Sequence, residues 1–296
     1  MIALFFIKFF KEKILYLKCL VKPNTCTIKL YYMNSIPIFD SLTHPTIDSH
    51  WILPKYHNSA NIENLVCQMK QYNIIKSFAV GMYGIGSYEQ NSYYKLIKPY
   101  SDYFYSIAFL LIEPSDTEKT IKEKLKRVKE TGFKGVKLHP RFSDFSISNP
   151  LIVYTIKIAN ELELTILFCT YFYHPSRNAC SNSIESLLNV LLNTQDCKII
   201  LLHAGTVRLM EMIEIARSFK NILLDLSFTL CKYEGSSIDL DIQFAFNTFD
   251  QRVCIGSDFP EFSMQKLRER FNNFAKNLSE EKARNIGYKN LESYIQ

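Results

Sequence analysis

From Met33 onward, eight short apolar runs alternate with eight helical patterns, and few folds accommodate so regular an alternation. The strand-like runs fall at residues 37–42, 76–82, 104–110, 135–138, 164–169, 198–203, 222–226 and 252–255. Helical patterns lie near residues 61–72, 88–100, 117–131, 150–161, 183–193, 207–219, 239–248 and 264–277. In the third of these, Ile121, Leu125 and Val128 share one face, while Lys122, Glu123, Lys126 and Lys129 take the other. Runs apolar on both faces indicate parallel strands covered by helices. Eight such units between residues 33 and 296 match the size and count of a single (β/α)8 TIM barrel. An open doubly wound sheet has the same periodicity and differs only in closure. No linker or low-complexity tract interrupts the region, so one domain is expected over 33–296, with an extra polar helix at 279–296 packed outside.

Composition limits the partners. With 47% hydrophobic and 14% aromatic residues, the chain has ample material for a core. Its net charge of +6 is concentrated in residues 1–32, where six lysines and one glutamate contribute +5. The remainder is nearly neutral, which removes any charge argument for nucleic acid or an anionic membrane. Lys8, Lys11, Glu12, Lys13 and Lys18 interrupt the N-terminal apolar run well short of the roughly 20 residues that span a bilayer. Residues 1–32 therefore read as a disordered extension or an upstream-start artefact, with Met33 the natural start. Eight cysteines without a C-x-x-C pair suit a reducing compartment, and the cytoplasm is expected.

Ionisable residues gather where the strands stop. Ile36-Pro37-Ile38-Phe39-Asp40 leads to His44; Gly135-Val136-Lys137-Leu138-His139-Pro140 ends on two bases; Ile199-Ile200-Leu201-Leu202 ends on His203; Val253-Cys254-Ile255-Gly256-Ser257 ends on Asp258. In a sheet buried on both faces, such groups reach substrate only at strand ends, so a shared catalytic mouth is expected. Lys137 and His139 fall on one face of their strand by the period of two, which suits an anion-binding lysine beside a general acid. The bland alternative is a buried ion pair and a loop-capping histidine. His203 alone is a weak signal; joined by Asp258 it becomes a set suited to a divalent metal or to activating water. The glycine-rich stretch Gly81-Met82-Tyr83-Gly84-Ile85-Gly86 is neither a dinucleotide fingerprint nor a P-loop, but Tyr83 can line a substrate pocket. Arg141, Arg177 and Arg208 are candidates for an acidic substrate, and His50, His57 and His174 for substrate contact, each with plain solvent exposure as its alternative.

Four stretches together resemble the amidohydrolase-related metal-dependent hydrolases: Phe39-Asp40-Ser41-Leu42-Thr43-His44, the run from Gly132 to Pro140, Leu201-Leu202-His203-Ala204-Gly205, and Gly256-Ser257-Asp258-Phe259-Pro260. The resemblance spans nearly all of 36–295 and implies a TIM barrel with a metal held by His-x-His on the first strand, histidines near the fifth and sixth, and an aspartate after the eighth. Here Leu42 stands at the first histidine of the pair and Cys169 at the fifth-strand histidine, whereas His44, His203 and Asp258 match. The implied metal set is His44, Cys169, His203 and Asp258, with zinc the best match for mixed N, S and O ligands. Thr170 or His174 can substitute, or the pocket works without metal through Asp258, His139, Lys137 and His203.

The expected activity is hydrolysis of a small polar or acidic molecule. Asp258 acts as general base, Lys137 and His139 polarise the carbonyl, and Tyr83, Arg141 and His174 bind substrate. Decarboxylation or lactone opening on the same barrel, and a ligand-binding barrel without chemistry, are the alternatives. Barrels of this size often pair, which leaves a homodimer open.

Overall fold

The computed structural model describes residues 36–143, 145–173 and 183–295; the 1–32 extension, His174 and Arg177 lie outside the described residues. Eight parallel strands follow one another around a single sheet: β1 (Ile38–Thr43), β2 (Ile74–Val80), β3 (Phe104–Phe109), β4 (Gly135–Leu138), β5 (Thr165–Cys169), β6 (Ile199–Leu202), β7 (Ile222–Asp225) and β8 (Val253–Cys254). Closure, which periodicity cannot reveal, is made by backbone bonds from the residues after β8 to β1. Ser41 donates to Ile255 (3.0 Å), Asp258 to Leu42 (2.9 Å) and His44 to Phe259 (2.8 Å). The (β/α)8 barrel is thereby shown, and the open-sheet alternative falls away.

Among the described residues, the eight helices of eight residues or more cover the outside: α1 (Ile62–Gln71), α2 (Gln90–Ile97), α3 (Glu118–Thr131), α4 (Pro150–Glu161), α5 (Ile184–Leu192), α6 (Leu209–Ser218), α7 (Ile238–Thr248) and α8 (Met264–Ala275). Their starts follow local chemistry. Side chains of Asn61, Thr117, Asn149, Ser183 and Ser263 cap free N–H groups at five N-termini, each worth about 1 kcal/mol. Helix α3 buries Ile121, Leu125 and Val128, as the periodicity predicts, and stops at Gly132 with φ 107°. A side chain there would also strike the Tyr94 ring. Among the described residues no helix is long and apolar enough to cross a membrane.

Inside the sheet, Phe39, Leu42, Phe78, Ile107, Leu167, Ile200 and Leu223 fill the barrel. The C-terminal segment departs from expectation. It does not pack as a polar helix on the outside; Leu291 joins this inner cluster, with Tyr288, Tyr294 and Ile295 against it. Asn290 Nδ2 donates to Asp250 O (2.6 Å) and Val253 O (2.8 Å), and Lys198 Nζ to Ser293 O (2.8 Å). All these partners sit where strands begin, so the segment seals the lower end of the barrel. An unsealed end would leave inner apolar side chains in water, and their burial outweighs the polar look of the segment.

Candidate active site

The opposite end of the barrel gathers the ionisable side chains. His44, Lys137, His139, Cys169 and His203 are all buried, while the Asp258 side chain is 13% exposed. Strand β1 delivers His44 one residue past its end. The His44 ring stacks on Trp51 at 5.3 Å, and its Nδ1 lies 2.7 Å from Val80 O. A carbonyl only accepts, so Nδ1 carries the proton. Burial, followed by the charge of Lys137, pushes the His44 pKa down and keeps the ring neutral. Its Nε2 lone pair therefore faces inward, 3.3 Å from Asp258 Oδ1 and 3.3 Å from Lys137 Nζ. Two electron-rich atoms this close are relieved by a cation beside them, and Lys137 is placed to supply it: burial pulls its pKa down, while the charges of Cys169 and Asp258 favour the ammonium.

His203 is held in the same manner, its Nδ1 3.1 Å from Ser227 O. Burial opposes its protonation, but the hydrogen bond and charge of Cys169 and the charge of Asp258 outweigh burial and raise its pKa. The Cys169 thiol, which burial would push up, is drawn well below its ordinary range by the flanking imidazoles. Burial holds His139 neutral, with a pKa lowered to about 4. Cys169 and His203 thus each favour the charged form of the other. Burial raises the other buried thiols among the described residues, Cys231 to about 12, so these act as small hydrophobes and Cys169 alone of them is drawn towards the thiolate. Burial also opposes charge on Asp258, yet the charges of His203 and Lys137 beside it hold it below the usual carboxylate range.

The backbone beneath this cluster is strained. His203, Ala204, Gly205 and Thr206 have φ of 66°, 43°, 68° and 57°, and Asp258 has 58°. Non-glycine residues in this region cost on the order of 1–3 kcal/mol each and persist only where surroundings over-determine them. Two buried carboxylates do so. Asp225, at the end of β7, accepts from His203 N (3.3 Å), Ser227 N (2.9 Å) and the hydroxyls of Ser41 and Ser227. Asp40 accepts from Ser257 N (3.0 Å), Ser257 Oγ (2.6 Å) and Leu42 N (3.0 Å), fixing the turn that presents Asp258. A side chain on Gly256 would enter the space between Ser41, Ser227 and Asp40, so only glycine fits.

Burial raises the Asp40 carboxyl from 3.8 to about 7. The folded protein thus keeps a proton there that the unfolded chain releases above about pH 4. Asp40 should stabilise the fold fully below that pH and lose this contribution as pH rises towards 7, on the order of 4 kcal/mol. Chemical denaturation of wild type and Asp40→Asn across this window is expected to show a decline that the variant lacks.

Of the residues singled out in sequence, the fold brings His44, Lys137, His139, Cys169, His203 and Asp258 together. Tyr83 sits at the rim, stacked on Phe109 at 6.2 Å, and Phe109 in turn stacks on His139 at 6.2 Å. Arg141 lies over Tyr171. Arg208 pairs with Glu211 and Tyr173, and the exposed His50 and His57 contact each other outside the cluster. Sequence reasoning did not select Trp51, Tyr171, Phe228 or Asp225 for the site. Asp225 ends an apolar run just as Asp258 does, and that was the available signal.

The implied metal set meets a specific obstacle. Among the described residues, no three His, Cys, Asp or Glu side chains form a group that could hold a metal ion. Leu42 is an inner core residue at one expected ligand position, and the Lys137 ammonium takes the space beside His44. As arranged, these residues do not fit a metal centre.

With this geometry in view, comparison with known proteins is informative. A family model described as Amidohydrolase matches residues 78–290. No curated protein matches the chain. Among solved structures, an uncharacterized TIM-barrel protein from Bordetella bronchiseptica superposes with a TM-score of 0.75 at 16% identity, covering 87% of this chain and 98% of that one. A 5-carboxyvanillate decarboxylase from Novosphingobium aromaticivorans, solved with manganese and 4-hydroxy-3-methoxy-5-nitrobenzoic acid, gives 0.59 at 11% identity, covering 88% and 96%. A dihydroorotase from Campylobacter jejuni gives 0.55 at 16%, covering 86% and 82%. Identities this low establish a common fold and leave the reaction to be argued from the residues.

Proposed function

The chain belongs to the amidohydrolase family, and from that premise we propose that it is an enzyme hydrolysing a small acidic molecule at the mouth of the barrel. The observation that carries this reading is the convergence of Asp258, His44 and Lys137 within 3.3 Å contacts beside the Cys169–His203 pair. Asp258, ionised and turned towards the mouth, orients a water and accepts its proton. Neutral His44 fixes the position of Asp258. Lys137, aided by His139, stabilises the negative charge that develops on the substrate oxygen, acting in a buried site where such charges are strong. In this proposal Lys137 is the resident cation, and no step is routed through a metal.

Decarboxylation is the second reading. It is favoured by the aromatic side chains around the mouth and by the two cations there, Lys137 and Arg141, which would hold a carboxylate against them. The decarboxylase among the structural neighbours adds support for this chemistry on this fold. Incubation with a panel of lactones, cyclic amides and aromatic carboxylic acids, with released carbon dioxide and released acid measured separately, distinguishes the two. Acid release without carbon dioxide is expected. Carbon dioxide as the main product would replace hydrolysis by the second reading, and no turnover on any member would favour a ligand-binding barrel.

A further inference from the structure

Among the described residues, the arginines buried to any depth donate from their guanidinium groups to a partner, with the exception of Arg141. Arg252 and Arg268 donate to backbone carbonyls, and Arg270 pairs with Glu234 and Asp239. Arg141, on the helical turn Pro140–Ser143 after β4, forms no ion pair among the described residues. Its Nε is buried without a hydrogen-bond partner. The guanidinium is nevertheless held in place, 4.4 Å over the Tyr171 ring and 5.4 Å from that of Phe142. Stacking occupies the faces of a guanidinium and leaves its N–H edge, the edge that receives a carboxylate in bidentate fashion.

Its position relates it to the site. The charge of Arg141 acts on both Lys137 and His139, and Tyr171 meets the His203 ring edge-on at 6.4 Å. Flat side chains line the approach: Phe142 against His139 at 4.8 Å, and Phe228 against Tyr171 at 5.7 Å and Phe262 at 5.8 Å. Two further buried polar atoms near the turn, His139 Nδ1 and Ser143 Oγ, also lack partners. An unsatisfied buried donor costs about 1–3 kcal/mol, more when charged, and a bound anion would remove that cost.

We infer that Arg141 is the receptor for the carboxylate of a planar aromatic acid, whose ring is taken between the side chains of this rim. This names the substrate class within the function proposed above and rests on that reading for its catalytic meaning, though not for its binding. The stacking of Arg141 pre-pays the ordering of a long side chain, so the fork meets its ligand already oriented.

Calorimetric titration of the full chain with benzoate, with neutral benzamide, and with the non-planar cyclohexanecarboxylate tests this, both in wild type and in the Asp258→Asn background. Benzoate is expected to bind at least about tenfold more tightly than either comparison compound. Arg141→Gln should lose at least about tenfold in benzoate affinity while leaving benzamide unchanged, and Arg141→Lys, which keeps the charge but not the fork, should fall between. Equal benzoate affinity in wild type and in either folded Arg141 variant would overturn the inference, as would undetectable benzoate binding to wild type or benzamide binding as tightly. If instead Asp258→Asn keeps full turnover while this binding pattern holds, the catalytic reading fails and the inference stands.

Discussion

Asp258→Asn is expected to lower turnover by at least about a thousandfold while leaving the circular dichroism spectrum unchanged. The substitution preserves shape and removes one negative charge. That charge is the one that Lys137 and His203 face, and their attraction keeps it ionised despite burial. An amide neither accepts the proton of a water nor balances those groups. The left-handed backbone at Asp258 is set by the bond from its N–H to Leu42 O and by the Asp40–Ser257 contacts, none of which uses its side chain. Folding should therefore survive, with a melting temperature within a few degrees of wild type, since neutralising one group of a balanced cluster costs about 1–2 kcal/mol. A folded variant with wild-type turnover would reject Asp258 as the proton acceptor.

Lys137→Met is the second large effect, expected to reduce turnover by about a hundredfold or more. Methionine fills similar volume and deletes the cation. The Nε2 lone pair of His44 then faces Asp258 Oδ1 at 3.3 Å with nothing between them. Two consequences are measurable. Substrate-oxygen stabilisation is lost, which lowers kcat more than it raises KM. The donor atoms of His44, Asp258, Cys169 and His203 are also left without their resident cation, so zinc affinity should rise above that of wild type. Elemental analysis of both proteins, purified without chelator, gives the comparison. Stoichiometric zinc or manganese in wild type would show that Lys137 shares the site with a metal and would overturn its role as the resident cation beside His44 and Asp258.

Much of the fold is legible in the sequence because it depends on local pattern. The eight strands and eight helices appear where the periodicity of two and of 3.6 predicts them, since strands buried on both faces must be short and apolar and their covering helices must be amphipathic. Lys137 and His139 were recognised as neighbours for the same reason. The C-terminal segment reads as an outer polar helix from its charged residues, although Tyr288, Leu291 and Ile295 lie at the i, i+3, i+7 spacing of one helical face; the barrel floor that they cover exists only after folding. Trp51, Tyr171 and Phe228 are not legible as site residues, because an aromatic residue in a loop carries no signature until its neighbour is known.

The sequence by itself determined the eight strand-and-helix units and the placing of His44, Lys137, His139, Cys169, His203 and Asp258 at strand ends, because both follow from which residues can be buried in regular structure. Tertiary structure alone decided what those groups are to one another. Closure from β8 to β1 brings Asp258 against His44, and a lone pair facing a carboxylate at 3.3 Å draws the Lys137 ammonium to a position where the family pattern implied a metal. Charge state depends on distance and burial, and neither exists along a sequence.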